Sequence, residues 1–155
     1  MEDKVQMSRF YFAYGSDLDA GQIARRCPGA QARGKAFLSA HTLRFSYPSP
    51  TWGGGSEDVV ADELGIGVWG FVYEMTVADW IRLDEAIGEG YRRTRLSVWE
   101  GGVQDCPMEV QLYRVIDPTG PHLPAKTYHE KIVRGAQTRG LPAGWVTWLR
   151  GLPTK

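Results

Sequence analysis

Two apolar and aromatic runs of strand length constrain the fold of this chain more than any other feature. Phe10 to Tyr14 and Val68 to Tyr73 are each interrupted by glycine or a polar residue within a few positions. Continuous apolar runs of this length are typical of buried β-strands. Both are far shorter than the about 20 residues that a membrane-spanning helix needs. We therefore expect a strand-rich protein that has no membrane partner.

Glycine and proline favour the same fold class. The 155 residues include 19 glycines and 9 prolines, more than a helical bundle would tolerate. Six tryptophans and seven tyrosines favour strands and pocket walls. A chain of this length that is 43% hydrophobic can bury one ordinary core. We expect a single domain spanning residues 1–155.

Charge and cysteine usage argue against several partners. Eighteen Lys and Arg offset eighteen Asp and Glu, so no net positive field attracts nucleic acid. Two cysteines and three scattered histidines have no metal-ligand spacing, and we expect no metal. The Met-Glu-Asp-Lys opening leaves no room for a charged and then apolar leader before Phe10. We expect a cytoplasmic protein.

The order of predicted elements indicates an α+β fold with a mixed, barrel-like β-sheet and short helices. A strand at 9–14 is followed by a tight glycine turn and a helix at 20–26 that Asp19 can cap. Further strands are predicted at 34–39, 42–47, 68–75, 91–99 and 110–116, and further helices at 76–87, 127–138 and 142–149. Segment 48–67 is predicted to be a long, mobile surface loop. Its acidic patch consists of Glu57, Asp58, Asp62 and Glu63.

One turn carries the first indication of chemistry. Tyr14 to Leu18 reads Tyr-Gly-Ser-Asp-Leu and lies where a buried strand ends and a helix begins. Its backbone N–H groups can therefore converge into a nest, which we expect to bind a small anion or an oxyanion. Gly15 permits the tight turn, and Ser16 adds a hydroxyl donor. Because such turns are also common as plain connections, the turn alone does not establish a site.

Further motifs, in order along the chain, resemble the γ-glutamylcyclotransferase-like family. The family's Tyr-Gly-Ser-Asn-Leu loop is matched by Tyr14 to Leu18 except at Asp17. Its Arg-x-Phe strand, Gly-rich stretch and Val-Trp-Gly-x-Val-Tyr strand correspond to residues 43–45, 52–54 and 68–73. Its Leu-Asp-x-x-Glu-Gly segment, following Tyr and Gly-Leu-Pro tail correspond to residues 83–88, 91 and 128–142.

The resemblance implies a reaction. In this family the α-amine of a γ-glutamyl group attacks its own γ-carbonyl, which releases 5-oxoproline and an amine without a metal or organic cofactor. The partner would be a small γ-glutamyl amine or peptide. The resemblance assigns its binding to Tyr14, Gly15, Ser16, Asp17, Leu18, Tyr91, Tyr113 and Tyr128. Tyr113 is equally compatible with an ordinary strand residue. A homodimer is one option for the assembly.

The main departure from the family pattern concerns the catalytic glutamate. Read without gaps, its position is Ile87, which cannot move a proton. Either Glu89, flanked by Gly88 and Gly90, enters the pocket and acts as the base, or the activity is lost. In the second case Ile87 simply completes the apolar face of its helix.

A second departure is Asp17 in place of Asn. Its carboxylate either repels a ligand carboxylate or caps the following helix together with Asp19. Three functions therefore stay open: a cyclising acyltransferase of this family, a non-catalytic ligand-binding or interaction domain on the same fold, and a relative acting on a different acyl group. The first needs a carboxylate within hydrogen-bond reach of a ligand held by the nest.

Overall fold

The structure is a computed structural model that describes residues 9–155. The N-terminal segment on which the expectation about a leader peptide rests lies outside the described residues. The strands are β1 (Phe10–Ala13), β2 (Gln31–Leu38), β3 (His41–Ser49), β4 (Gly54–Ala61), β5 (Val68–Glu74), β6 (Tyr91–Glu100) and β7 (Pro107–Val115). The helices are α1 (Ala20–Arg26), α2 (Val77–Ile87), α3 (Lys126–Thr138) and α4 (Ala143–Arg150). None of these helices is long and apolar enough to cross a membrane.

Five of these seven strands close into a barrel in the order β1-β5-β2-β6-β7. Neighbours pair antiparallel except where the barrel closes, since β1 and β7 run parallel with Tyr11 opposite Gln111. The predicted mixed, barrel-like sheet is therefore confirmed. Phe12 on β1 and Val72 on β5 are fully buried, as expected for the two apolar runs. Helices α3 and α4 add Ile132 and Leu149 to the same core.

The other two strands correct a prediction. β3 and β4 pair antiparallel as a separate two-stranded ribbon, and β4 lies inside segment 48–67, which we predicted to be a surface loop. The charged pair Glu57 and Asp58 hid this strand, because a strand is recognised in sequence by alternating apolar residues. Asp58 is buried instead and accepts a hydrogen bond from the Val115 backbone N–H at 3.0 Å. This bond ties the ribbon to β7 of the barrel.

Helix α2 begins where its sequence predicts. The Thr76 hydroxyl accepts from the Asp79 N–H at 3.1 Å, and the Asp79 carboxylate accepts from the Thr76 N–H at 3.0 Å. This reciprocal pair is a capping box. Trp80 and Leu83 bury the inner side of the helix. The cap and the buried face together bring the last residue, Ile87, to the edge of a cavity.

Candidate active site

The turn after β1 forms one wall of the cavity. Residues Ser16–Leu18 make a single turn of 3-10 helix. Two backbone hydrogen bonds of 3.0 Å close this turn. The Leu18 N–H donates to the Gly15 carbonyl, and the Asp19 N–H donates to the Ser16 carbonyl. Asp19 then caps α1. The predicted order of strand, glycine turn and helix is therefore present.

A cavity of about 290 Å³ opens beside this turn, between the barrel, the ribbon and the end of α2. The predicted site residues that line it are Tyr14, Gly15, Ser16, Asp17, Ile87, Glu89, Tyr91, Tyr113 and Tyr128. Leu18 does not line it, because its fully buried side chain packs where Gly135 of α3 approaches the turn. Distant segments of the chain thus meet at one cavity. That these residues bind a substrate stays a prediction.

A carboxylate that sequence reasoning missed lies against the turn. Glu57 reaches across from β4, and its Oε2 accepts a hydrogen bond from the Ser16 backbone N–H at 2.7 Å. Its Oε1 accepts from the Ser56 hydroxyl at 3.1 Å and from the Tyr128 hydroxyl. The nest that we expected to bind an anion therefore holds the chain's own carboxylate.

Gly15 makes this contact possible. A Cβ at position 15 would lie 1.4 Å from Glu57 Oε2, so a side chain and the carboxylate cannot share the space. The sequence did contain one signal, because Gly53, Gly54 and Gly55 precede this carboxylate. Glycines in a strand often mark a close approach of backbones, and a Cβ at Gly55 would lie 2.0 Å from a backbone oxygen of the segment before α3.

Two tyrosine hydroxyls contact Glu57, that of Tyr128 at the carboxylate and that of Tyr91 at the backbone carbonyl. The Tyr91 hydroxyl lies 2.7 Å from the Glu57 carbonyl oxygen and 2.8 Å from Ser56 Oγ. Burial raises the pKa of Tyr91 and of Tyr128, and the Glu57 charge raises both further. The Tyr14 pKa is also raised, mainly by burial. These phenols are therefore neutral O–H donors at pH 7.

Tyr113 is bound to α2 rather than to the carboxylate. Its hydroxyl donates to Asp84 Oδ1 at 2.6 Å, and Asp84 forms an ion pair with Arg93 at 3.1 Å. Its backbone carbonyl accepts from the Tyr14 hydroxyl at 2.5 Å. Tyr113 thus connects β7, α2 and the residue before the turn.

Asp17 is part of a buried network behind the turn. It is 4% exposed and accepts from the Tyr11 hydroxyl at 2.6 Å and the Gln22 side-chain amide at 2.8 Å. It also forms an ion pair with Arg26 at 3.2 Å. The alternative that Asp17 caps the following helix is wrong, because the cap is Asp19. Since Arg26 offsets the Asp17 charge, repulsion of a ligand carboxylate is weakened.

The comparisons with known proteins agree with this geometry. Residues 67–149, more than half of the chain, match the AIG2-like family. The γ-glutamylcyclotransferase of Bos taurus is 31% identical over 145 residues, covering 87% of this chain and 73% of that protein. The chain belongs to the AIG2-like, γ-glutamylcyclotransferase-like family.

Other members of the γ-glutamylcyclotransferase-like family extend the match. The γ-glutamylcyclotransferase of Homo sapiens is 29% identical, covering 94% of this chain and 79% of that protein. A solved structure of a γ-glutamyl cyclotransferase superposes with a TM-score of 0.87 at 28% identity, covering 95% of this chain and 89% of that one. The resemblance and the fold expected from it are both confirmed.

This chain departs from the γ-glutamylcyclotransferase-like pattern at the end of α2. Ile87 is half-buried and lines the cavity. Gly88 follows at φ 88°, in the left-handed region that favours glycine, and turns the chain. Glu89 is exposed at the rim of the cavity. Its role as the base stays a prediction.

Proposed function

We propose that this protein cyclises a small γ-glutamyl amine or peptide, releasing 5-oxoproline and the amine. One observation carries the proposal: the Glu57 carboxylate and the turn after β1 line one cavity, with Glu57 Oε2 2.7 Å from the Ser16 nitrogen. The reaction needs a base for the α-ammonium and donors for the developing oxyanion. The names of the Bos taurus and Homo sapiens relatives support the same reaction.

The proposed reaction uses one carboxyl group as base and then as acid. The carboxylate takes a proton from the α-ammonium, and the free amine attacks the γ-carbonyl carbon while the carbonyl electrons move onto oxygen. The carboxyl then protonates the leaving nitrogen as its bond to carbon breaks. As that bond breaks, the electrons on oxygen re-form the C=O bond of 5-oxoproline. The new ring nitrogen gives its second proton to the same carboxylate, and the amine carries that proton away as an ammonium. Such proton transfer contributes about a hundred- to ten-thousandfold in rate.

The size of the cavity favours a small substrate. Pockets for drug-sized ligands begin at about 300 Å³, and this cavity has a volume of about 290 Å³. A glutamyl group with a small leaving amine suits that volume better than a long peptide does. Trp52 and Tyr128, whose ring centroids are 4.6 Å apart, supply part of an aromatic wall.

The sequence predicts Glu89 as the carboxyl group of this reaction. If Glu89 is the base, Glu89→Gln removes nearly all activity and leaves the melting temperature unchanged. If the chain lacks a base, Ile87→Glu creates or greatly raises activity from almost none. The two substitutions therefore separate a relocated base from a lost one.

The test measures 5-oxoproline release from a panel of γ-glutamyl amines and γ-glutamyl dipeptides by mass spectrometry. α-Linked glutamyl dipeptides of the same composition are the matched control, because they contain no γ-amide. Release from the γ-linked compounds alone supports the proposal. Ligand binding without release from any compound supports instead a non-catalytic binding domain on the same fold.

A further inference from the structure

We propose that Glu57 is the proton-transferring carboxylate of this site and replaces the family glutamate whose position Ile87 occupies. This inference rests on the proposed function. Glu57 belongs to β4 and Ile87 ends α2, yet both line the same cavity. A carboxylate missing from one wall is therefore present on another wall.

The hydrogen bonds of Glu57 leave one oxygen open to a ligand. Oε1 accepts from both the Ser56 and the Tyr128 hydroxyls, which use its two lone pairs. Oε2 accepts from the Ser16 N–H, and no other donor in residues 9–155 binds it. Because Glu57 lines the cavity, a substrate's α-ammonium there can donate to the second lone pair of this oxygen. The three existing donors hold the carboxylate in one orientation.

Glu57 has no ion-pair partner in the part of the chain that the structure describes. Within residues 9–155, no Lys, Arg or His nitrogen lies within 4.0 Å of its carboxylate. Asp17, which also lines the cavity, differs in this respect because it pairs with Arg26. A half-buried anion held only by neutral donors attracts a cation. The α-ammonium of a γ-glutamyl compound is such a cation.

The ribbon gives Glu57 a rigid support. Its neighbours Ser56 and Asp58 are both buried, and the hydrogen bond from Val115 to Asp58 holds β4 against the barrel. A reacting group must be held closely to its productive geometry, and strands do this better than loops. Glu89, by contrast, is exposed between two glycines.

A purely blocking role for Glu57 makes the opposite prediction. A carboxylate bound to the Ser16 N–H excludes other anions from that donor. If Glu57 only filled the nest, its removal would open the site and raise activity. If it moves protons, its removal abolishes turnover. A rise in the activity of a Glu57 variant therefore indicates a blocking role, and a loss of activity indicates a role in proton transfer.

The experiment compares wild-type protein with Glu57→Gln, which keeps the size and removes the charge. We expect kcat/KM for 5-oxoproline release to fall at least about a hundredfold. We expect Glu89→Gln to lower kcat/KM less than about tenfold, because Glu89 would not be the general base. Glu63→Gln, at an exposed carboxylate that does not line the cavity, is the matched control with unchanged activity. Circular dichroism and the melting temperature check that each variant is folded.

Two rescue measurements exclude a merely structural effect. Formate added to Glu57→Ala should restore activity in proportion to its concentration, because formate can supply the missing carboxylate. Adding Ile87→Glu to Glu57→Gln should restore release, since it returns a carboxylate to the family position. If wild-type protein is active and Glu57→Gln is equally or more active, the role of Glu57 is overturned and the proposed function is not. If wild-type protein releases no 5-oxoproline from any compound, the proposed function fails and the role of Glu57 fails with it.

Discussion

At position 15 the chain has room for a hydrogen and for nothing larger. The φ there is −130°, outside the left-handed region that favours glycine. Contact excludes a side chain, because a Cβ would lie 1.4 Å from Glu57 Oε2. Glycine at this turn and glutamate on β4 are therefore coupled, although 41 positions separate the carboxylate from its donor Ser16.

Gly15→Ala should lower the free energy of unfolding by about 1–3 kcal/mol, because overpacking forces neighbouring groups to shift. In a Glu57→Ala background the same substitution should cost less, by at least about 0.5 kcal/mol, since the clashing carboxylate is gone. Urea unfolding of the four proteins measures this coupling. Equal losses in both backgrounds would contradict it.

Gly144→Ala is the control for the glycine substitution. Gly144 is an exposed residue of α4, and nothing lies within 4 Å of a Cβ built there. We expect this variant to be as stable as wild type or more stable by about 0.5–1 kcal/mol, because alanine loses less backbone entropy in a helix.

At the scale of elements, the cavity depends on α2 and β4 being fixed at their ends. The capping box at Thr76 starts α2, and the Asp79 carboxylate in it also accepts from the Gly29 N–H at 3.0 Å. The cap thus fastens α2 to the segment after α1 while its other end delivers Ile87 to the cavity. Loss of the cap should loosen this support.

Thr76→Ala should destabilise the protein by about 1 kcal/mol, within a range of about 0.5–2 kcal/mol, because the Asp79 N–H loses its acceptor. Thr76→Ser keeps a hydroxyl at the same place and should retain most of the wild-type stability. Equilibrium unfolding in urea measures both. A serine variant as unstable as the alanine variant would show that the hydroxyl is not what stabilises the helix.

At the scale of the whole molecule, folding buries phenols from the barrel strands, from the turn after β1 and from α3. Burial raises the pKa of six tyrosines above the ordinary value of 10.0, and that of Tyr73 reaches about 12. The other five are Tyr11, Tyr14, Tyr91, Tyr113 and Tyr128. Neutral phenols are therefore a condition of the folded state, because ionising one leaves a charge in an apolar interior.

The sign of the pH dependence follows from these raised values. A group with a higher pKa in the folded state contributes stability that is fully present below pH 10 and is lost as pH rises through the folded-state pKa. We expect the unfolding free energy to fall above about pH 10, with phenolate absorbance near 295 nm appearing together with loss of circular dichroism. A titration in concentrated guanidinium chloride provides the unfolded reference. Phenolate absorbance that develops fully while the protein stays folded would contradict this prediction.

The local structure could be predicted from the sequence alone. The strand at 9–14, the glycine turn, the Thr76 cap and both C-terminal helices depend on neighbours within a few residues, so each was predicted to within a few positions. Ordered motifs also identified the family and the turn at Tyr14 to Leu18. These features need no knowledge of which distant segments meet, because capping, turn formation and hydrophobic periodicity act over one or two turns of chain.

That Glu57 lies in the cavity could be seen only in the folded chain. Glu57 looks like part of a solvated acidic patch until β4 pairs with β3 and Asp58 binds the Val115 N–H, 57 positions away. Asp17 likewise finds Arg26 and the Tyr11 hydroxyl only once the turn has folded. The free energy of a charged side chain depends on the donors and charges around it in space. Sequence neighbours do not report those groups, so the roles of Glu57 and Asp17 emerge only from the folded chain.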